Sequence, residues 1–270
     1  MLSWLYGSAL GRIILKILTA PAISKLAGAF LDSKVSTLLI PLFIRSNNID
    51  LSDVKTETWQ SFNQFFTREL VDGARTVDMD EEAFISPCDA FLKVYPIEEG
   101  AIYPVKESEY TAAELLKSHK LAKLYEGGSC LIFRLTPAHY HRYIYPQSGE
   151  KSQTYGIKGV LHTVQPVATR ATKVYAQNSR AFSIIKSKNF GPLVFMQVGA
   201  LLVGRIVNND PQKKEVIRGE EAGRFEFGGS TIIVLVRKNQ VDIDKAILQA
   251  SAAGEETPVK LGQKIGSKHA

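Results

Sequence analysis

Apolar positions recur at helical spacing along the first 31 residues, from Leu10 onward. Arg12 and Lys16 lie on another face and interrupt the apolar run too early for a membrane-spanning helix, which needs about 20 mostly apolar residues. Pro21 is expected to end or kink this helix. Two interpretations stay open: the helix packs on the protein's own core, or it lies in the interface of a membrane.

Two further apolar stretches have helical spacing, one over residues 35–44 and one over 59–70. Pro41 interrupts the first of them. A stripe of apolar side chains at helical spacing is typical of a helix that packs on a core. In the second stretch this stripe consists of Phe62, Phe65, Phe66 and Leu70.

From residue 83 the pattern changes to short apolar runs rich in β-branched side chains, separated by glycine and proline. One helix, over residues 111–125, interrupts these runs. The pattern predicts an α+β protein, with helices over residues 1–75 and a β-rich, mainly antiparallel core over 76–270 that resembles a sandwich or a barrel. Strands are predicted over residues 91–95, 130–135, 142–145, 159–164, 193–198, 201–207 and 231–236.

Composition narrows the class of protein only a little. The 270 residues carry a formal net charge of +6, and this mild basic excess suits an anionic membrane surface or nucleic acid without choosing between them. Cys88 and Cys130 match no metal-binding spacing, and they indicate a reducing compartment. The chain contains neither a P-loop nor a glycine-rich dinucleotide-binding motif.

Two glycines precede a hydroxyl residue in Gly228-Gly229-Ser230, next to the apolar run over 231–236. One interpretation is a tight turn that leads into a buried strand. The other interpretation is a peptide bond that the protein cuts in itself. A glycine leaves its carbonyl carbon unshielded and allows strained backbone conformations, so the hydroxyl of Ser230 is placed to attack the carbonyl of Gly229.

Few other ionisable side chains have candidate chemistry. Asp89 lies in a turn-like pentapeptide, where an aspartate usually accepts hydrogen bonds from nearby backbone N–H groups. His139 and His141 flank Tyr140, and in a strand both imidazoles would point to the same face and line one cavity. No third ligand accompanies them, so we expect no metal. His162 lies in a buried-looking strand, where a lone histidine is usually a core residue.

A series of motifs occurs in an order that is more specific than any one of them. These motifs are Phe65-Phe66-Thr67-Arg68 with Gly73 and Arg75, Ser86-Pro87-Cys88-Asp89, Tyr140-His141-Arg142, Val164-Gln165-Pro166, Asn178 with Arg180, Val198-Gly199-Ala200 with Gly204, and Gly228-Gly229-Ser230-Thr231. On these motifs the chain resembles the phosphatidylserine decarboxylase proenzymes over most of its length. The resemblance implies a self-cleaving enzyme that converts phosphatidylserine to phosphatidylethanolamine and CO₂.

The resemblance also implies the cofactor, a pyruvoyl group generated from Ser230. Attack of Ser230 on the carbonyl of Gly229 would split the chain into a β chain over residues 1–229 and an α chain over 230–270. Removal of CO₂ from an amino acid leaves a carbanion, and a pyruvoyl group supplies the electron sink that a serine side chain lacks.

By the resemblance, Asp89 orients the base that activates Ser230, as in the triad of a serine hydrolase. The family's usual pattern places this base, a second histidine, three residues after His141, where this chain has Ile144. His162 is our candidate for the substitute, because the chain resembles a branch of the family that lacks the second histidine. Asp89, His162 and Ser230 are therefore the predicted maturation triad.

The remaining predicted site residues belong to the decarboxylation step. His141 matches the family histidine that protonates the carbanion or handles the substrate carboxylate. His139, Tyr140 and Gln165 are candidates for substrate binding. His139 lies where many members have aspartate, and Gln165 lies where they have asparagine.

A phospholipid substrate implies that the protein docks on a bilayer, so residues 1–75 are predicted to associate with the membrane. The predicted partners are a phospholipid membrane and phosphatidylserine, without nucleic acid, and a homodimer is compatible with the sequence. The predicted location is peripheral, on the cytoplasmic face of a bacterial cell membrane. Two other function classes stay open, namely a pyruvoyl-dependent decarboxylase of a soluble amino acid and a membrane-binding relative that does not mature.

Overall fold

A computed structural model describes residues 21–56, 58–98, 103–105, 108–159, 174–199, 205–226 and 230–269. None of the helices in these ranges has the length and apolar character that crossing a bilayer requires. Some predicted features lie outside the described residues, namely the helix before Pro21, nearly all of strand 159–164, most of strand 201–207, and the site residues His162, Gln165 and Gly229.

Three helical elements follow one another between residues 21 and 47. Helix α1 covers Pro21–Leu31, a 3-10 helix covers Lys34–Leu39, and helix α2 covers Ile40–Asn47. We expected Pro41 to interrupt the apolar stretch, but Pro41 lies in the first turn of α2. The backbone N–H groups of a first helical turn have no partner within the helix, so a proline there removes no hydrogen bond.

The helix predicted over 59–70 is much shorter in the structure. Helix α3 covers only Phe62–Phe66, and the hydroxyl of Ser61 caps its N-terminus. The prediction was wrong for Leu70, because Leu70 forms an antiparallel bridge with Val54 outside the helix. A partner that is distant in the sequence therefore ends the helical pattern.

The N-terminal helices pack around their own hydrophobic cluster, which we call the helical cluster. The rings of Phe43 and Phe62 meet edge to face in this cluster, with their centroids 4.9 Å apart. Ala138, which belongs to the β-rich part of the chain, packs against the same cluster and links the two parts. The buried members of the helical cluster are Leu31, Ile40, Ile49, Phe62, Phe65 and Phe66.

The predicted helix over 111–125 is divided into two short helices, α4 (Ala112–Leu116) and α5 (His119–Lys123). Lys117 has a left-handed backbone conformation with φ of 52°, and Ser118 caps the second helix. Later in the chain, α6 covers Val174–Gln177 and α7 covers Lys245–Ala252.

The β-strands are short, and most of the described predicted strands appear within one or two residues of the expected bounds. In chain order they are β1 (Ala83–Ile85), β2 (Ala90–Pro96), β3 (Tyr103–Val105), β4 (Ser108–Tyr110), β5 (Ser129–Leu135), β6 (Arg142–Ile144), β7 (Gly149–Lys151), β8 (Tyr155–Ile157), β9 (Arg180–Ser187), β10 (Gly191–Val198), β11 (Ile206–Asn208), β12 (Lys214–Val216), β13 (Glu221–Phe225), β14 (Ser230–Val236), β15 (Val241–Ile243), β16 (Thr257–Val259) and β17 (Lys264–Lys268).

Within the described residues, the largest sheet has nine antiparallel strands in the order β12-β7-β9-β10-β14-β5-β2-β16, with β8 paired to β9. Strand β14 lies inside this sheet between β10 and β5, and all of its residues are buried. A strand that is covered on both faces needs apolar side chains at consecutive positions, which the run from Ile232 to Val236 provides. The first residue of this buried strand is Ser230.

Two three-stranded sheets and a hairpin complete the described β structure. Their orders are β1-β17-β15 and β11-β13-β6, and β3 pairs with β4. Among the described strands, the path of the largest sheet runs from β12 to β16 and does not close into a barrel. These features confirm the prediction of an α+β protein with helices near the N-terminus and a mainly antiparallel β core.

Candidate active site

Ser230 lies where β14 begins, directly opposite Leu135 at the end of β5. Its side chain is fully buried, and among the described residues its Oγ has no hydrogen-bond partner. Buried hydroxyl groups are normally hydrogen-bonded, so an unpaired one marks a special position. Because the two strands are antiparallel, the loop that follows β5 starts beside Ser230.

This loop, residues 136–141, carries both histidines of the predicted site. Both ends of the loop are held near this segment: Leu135, the residue before the loop, pairs with Ser230, and the carbonyl of His141 accepts a hydrogen bond from the N–H of Phe225 at 2.9 Å. Phe225 is the last residue of β13, shortly before the diglycine. The loop therefore lies next to both ends of the segment that contains the predicted cleavage bond.

His139 and His141 do not occupy a strand, so the prediction that both imidazoles share one strand face was wrong. Residues 137–139 form a turn and a bend, and β6 begins only at Arg142. The ring of His139 contacts Phe91, whereas the ring of His141 contacts Phe66. The turn separates the environments of the two histidines.

The His139 ring is fixed by its own loop. Its Nδ1 accepts a hydrogen bond from the backbone N–H of Thr136 at 2.9 Å. Burial lowers the pKa of His139, while the charge of Asp89 acts in the opposite direction. A neutral ring that accepts at Nδ1 carries its proton on Nε2, which leaves a donor for another group.

His141 is completely buried, with its ring centroid 3.9 Å from that of Phe66. Neither ring nitrogen has a hydrogen-bond partner among the described residues. Burial, followed by the positive charge of Arg68, lowers the pKa of His141 well below its usual value. The imidazole is therefore neutral at neutral pH, with one donor and one acceptor available to a ligand.

Asp89 is buried and held by contacts from two distant parts of the chain. The guanidinium of Arg75 donates from Nε to Oδ1 at 3.0 Å and from Nη2 to Oδ2 at 2.7 Å, and the N–H of Leu261 donates to Oδ1 at 2.8 Å. Sequence reasoning expected nearby backbone donors and assigned no role to Arg75. The signal was present, because Arg75 belongs to one of the motifs that define the family resemblance.

Ile144, which replaces the second histidine of the family pattern, packs close to the Asp89 turn. It belongs to an apolar cluster with Ile85 and Leu261, against which Tyr140 packs. Burial raises the pKa of Tyr140 to about 12, so its hydroxyl stays protonated. The backbone N–H of Leu261 also donates to Asp89, so Leu261 lies next to both Ile144 and the Asp89 carboxylate.

Arg68 is the second arginine that sequence reasoning left without a role. Its side chain is only 4% exposed, and its Nη2 donates to the carbonyls of Ala138 and His139 at 3.0 and 3.3 Å. Its guanidinium carbon lies 5.6 Å from the ring centroid of Phe65. Among the described residues, Nε and Nη1 have no hydrogen-bond partner.

Electrostatic interactions link Asp89, His139, Tyr140 and His141 of the predicted site with Arg68, and Arg75 binds Asp89. Ser230 is placed at the start of β14, opposite the residue that precedes the histidine loop. His162, Gln165 and Gly229 lie outside the described residues, so the maturation triad with His162 stays a prediction. The fold is that of an α+β protein with a fully buried serine at the start of a central strand and buried charged side chains in the neighbouring part of the chain.

Comparisons with known proteins give the family. The family model for phosphatidylserine decarboxylase matches residues 62–267. Phosphatidylserine decarboxylase proenzyme 2 of Clostridium acetobutylicum is 41% identical over 266 residues, which cover 98% of this chain and 91% of that protein. The phosphatidylserine decarboxylase proenzymes of Clostridium tetani and Ruminiclostridium cellulolyticum are 41% and 39% identical, covering 99% of this chain and 92% and 91% of those proteins. The chain belongs to the phosphatidylserine decarboxylase family.

Proposed function

We propose that this protein decarboxylates phosphatidylserine to phosphatidylethanolamine and CO₂ with a pyruvoyl group that it makes from Ser230. The observation that carries the proposal is the family match over residues 62–267, combined with a fully buried serine whose Oγ is unpaired among the described residues. The related proteins are named as proenzymes, which agrees with a maturation step.

Maturation begins when the Oγ of Ser230 attacks the carbonyl carbon of Gly229 and turns the peptide bond into an ester. Elimination then releases the Gly229 carboxylate and leaves dehydroalanine at position 230. Addition of water converts this residue to a pyruvoyl group and releases ammonia. The side chain that starts this sequence fits the role, because it is buried and, among the described residues, free of a competing hydrogen bond.

The attack needs a base for the Ser230 proton, and we assign this role to His162, oriented by Asp89. The contacts of Arg75 and Leu261 hold the Asp89 carboxylate in one orientation. An orienting carboxylate must be fixed in this way if the imidazole is to face the hydroxyl in the correct tautomer.

The pyruvoyl group supplies the electron sink for decarboxylation. His141 is our candidate for moving a proton at the substrate carbon, because its ring is buried and both nitrogens are unpaired among the described residues. Its low pKa makes the ring neutral before substrate binds. A bound anionic headgroup would raise this pKa and favour uptake of the proton that the carbon later receives. His139, Tyr140 and Gln165 remain the proposed substrate contacts.

We also propose that the protein lies on the membrane surface through its N-terminal helices. Large apolar side chains are exposed close together there, and helices α1, α2 and α3 enclose an apolar groove of about 360 Å³. Exposed Lys34 and Arg45 lie in the same stretch, and a basic side chain near an anionic surface contributes about 1 kcal/mol. The exposed apolar residues are Leu26, Phe30, Val35, Leu38, Leu39 and Leu42.

Mass spectrometry of the purified protein tests the central proposal. We expect two fragments that divide between residues 229 and 230, the smaller one blocked at its amino end, and release of phosphatidylethanolamine from phosphatidylserine vesicles. Ser230→Ala should remain one chain and be inactive. An uncleaved wild-type chain would favour a relative that does not mature. A cleaved protein that acts on free amino acids, but not on vesicles, would favour the soluble substrate instead. Sedimentation of the same sample measures the oligomeric state and tests whether the protein forms a homodimer.

A further inference from the structure

Arg68 is a buried cation whose charge is not paired at short range among the described residues. Only its Nη2 is used there, by the carbonyls of Ala138 and His139, while Nε and Nη1 are unpartnered. The carboxylate within electrostatic range, that of Asp89, is already bound by both Nε and Nη2 of Arg75. Buried charged donors without partners cost free energy, so such an arrangement indicates a ligand that completes it.

Another buried arginine shows how this chain satisfies such a side chain when the role is structural. Arg180 donates from Nε to the carbonyl of Leu115, from Nη2 to that of Glu114, and from Nη1 to those of Ala176 and Asn178. Every nitrogen of its guanidinium is therefore used. Arg68 has the same degree of burial but keeps two of its three nitrogens unpaired among the described residues.

Arg68 contacts both helix α3, which lines the apolar groove, and the loop that carries the two histidines. Its guanidinium lies over the ring of Phe65 in helix α3 and binds the loop that carries His139 and His141. The same helix lines the apolar groove with Phe62 and contacts the His141 ring with Phe66. A phospholipid has the matching order of groups, with its phosphate between the acyl chains and the serine.

We infer that Arg68 binds the phosphate diester of the lipid headgroup with the N–H groups of Nη1 and Nε, an assignment that rests on the proposed function. Guanidinium groups match the geometry of oxyanions and bind them through charge-assisted hydrogen bonds. The substrate carboxylate is the less suitable partner, because its charge must leave as the C–C bond breaks. A cation bound to the carboxylate would stabilise the ground state more than the transition state. The phosphate keeps its charge throughout.

The kinetic test uses matured Arg68→Gln and Arg68→Lys enzymes with phosphatidylserine in mixed micelles. Loss of a charge-assisted hydrogen bond to a group that does not change during the reaction weakens substrate and transition state equally. We expect KM to rise roughly tenfold to a hundredfold in Arg68→Gln, less in Arg68→Lys, with kcat within about twofold. The control is Arg218→Lys, since Arg218 is also buried but donates to the carbonyls of Asp80 and Ala83. Its KM should not change.

A binding measurement separates the two oxyanions and does not need activity. Dimethyl phosphate and acetate are titrated into the uncleaved Ser230→Ala chain, with and without Arg68→Gln, and followed by NMR of the small molecule. We expect dimethyl phosphate to bind more tightly than acetate, and Arg68→Gln to remove this preference.

Preferential binding of acetate, an unchanged KM in Arg68→Gln, or a raised kcat in that variant would overturn the assignment. A wild-type chain that fails to mature would contradict the proposed function instead, since the NMR titration still reports on Arg68. If Arg68→Gln does not fold, Arg68→Lys keeps the charge and provides both measurements.

Discussion

His141 and Ser230 are two buried polar residues that lack the hydrogen bonds such groups normally make. Both are fully buried, and neither has a hydrogen-bond partner among the described residues. The two residues are nevertheless proposed to act in different reactions, Ser230 in maturation and His141 in decarboxylation. Substitution separates these roles.

His141→Ala should still split into two chains but turn over phosphatidylserine roughly 10²–10⁴-fold more slowly, the range expected when a general acid is removed. Denaturing electrophoresis measures the first property, and release of CO₂ from labelled lipid measures the second. The exposed His119 provides the control, and His119→Ala should cleave itself and decarboxylate phosphatidylserine like the wild type. An unprocessed His141→Ala chain would mean that His141, and not His162, serves maturation.

The fully buried His141 and the partly buried His139 also predict how stability depends on pH. Burial lowers the folded-state pKa of both His139 and His141 below the value of about 6.5 expected in the unfolded chain. Well above this value both rings are neutral in both states. As the pH falls from about 6.5 toward the folded-state pKa, the unfolded chain binds protons that the folded chain does not, so the free energy of unfolding decreases.

Each unit of pKa difference corresponds to about 1.4 kcal/mol. In the uncleaved Ser230→Ala chain, we therefore expect urea unfolding to show a lower free energy at about pH 5.5 than at about pH 8, and His141→Leu to reduce this difference. His119→Leu should leave the difference unchanged, because His119 is exposed. An equal loss of stability on acidification in the His141→Leu variant would show that His141 does not remain neutral.

Among the secondary-structure elements, the strands were predicted better than the helices. A buried strand such as β14 carries its signal in every residue, since β-branched and apolar side chains fill both faces. The helical pattern over 111–125 was correct in type but is interrupted at Lys117, which divides it into two short helices. The pattern over 59–70 ended because Leu70 found a partner in Val54, and a sequence window cannot contain such a long-range contact.

Strand β6 offers a test of the maturation triad. His162→Ala should abolish self-cleavage if His162 is the base. Position 144, at the end of β6, packs against Leu261, whose N–H binds Asp89. A histidine there should reach the same carboxylate, so His162→Ala combined with Ile144→His should recover part of the cleavage.

The control for this rescue is His162→Ala combined with Ile144→Asn, which is polar but cannot act as the base. Time courses on denaturing gels measure the fraction cleaved. Cleavage at the normal rate in His162→Ala alone would refute the triad. If the variant that combines His162→Ala with Ile144→His folds but never cleaves, position 144 does not face the serine.

At the scale of the whole molecule, the exposed apolar side chains are distributed unevenly. They are concentrated between Leu26 and Leu42, whereas Met79 and Ile217 are exposed separately in the β-rich part. A concentration of exposed apolar side chains is typical of an interaction surface, and the proposed partner for this one is a bilayer.

Leu38→Asp combined with Leu42→Asp should weaken binding to vesicles that contain phosphatidylglycerol by at least about tenfold, because each leucine loses its favourable burial in lipid. Self-cleavage should continue, since both side chains are largely exposed in the structure, at 79% and 70%. Flotation with vesicles measures the binding. The matched control, Met79→Asp with Ile217→Asp, removes exposed apolar groups elsewhere and should float like the wild type. Equal flotation of both double variants would reject this surface as the docking site.

The amino-acid sequence by itself determined the class of fold, the buried strand after the diglycine, and the motifs that carry the family resemblance. These are local or ordered along the chain, so a pattern of residues is enough to reveal them. Only the tertiary structure decided what each motif residue contacts. The pairing of Arg75 with Asp89, the cation of Arg68 with two nitrogens unpaired among the described residues, and the contact of His141 with Phe66 all depend on residues from distant elements. Burial and charge compensation depend on such long-range neighbours, and they set the chemistry of a side chain.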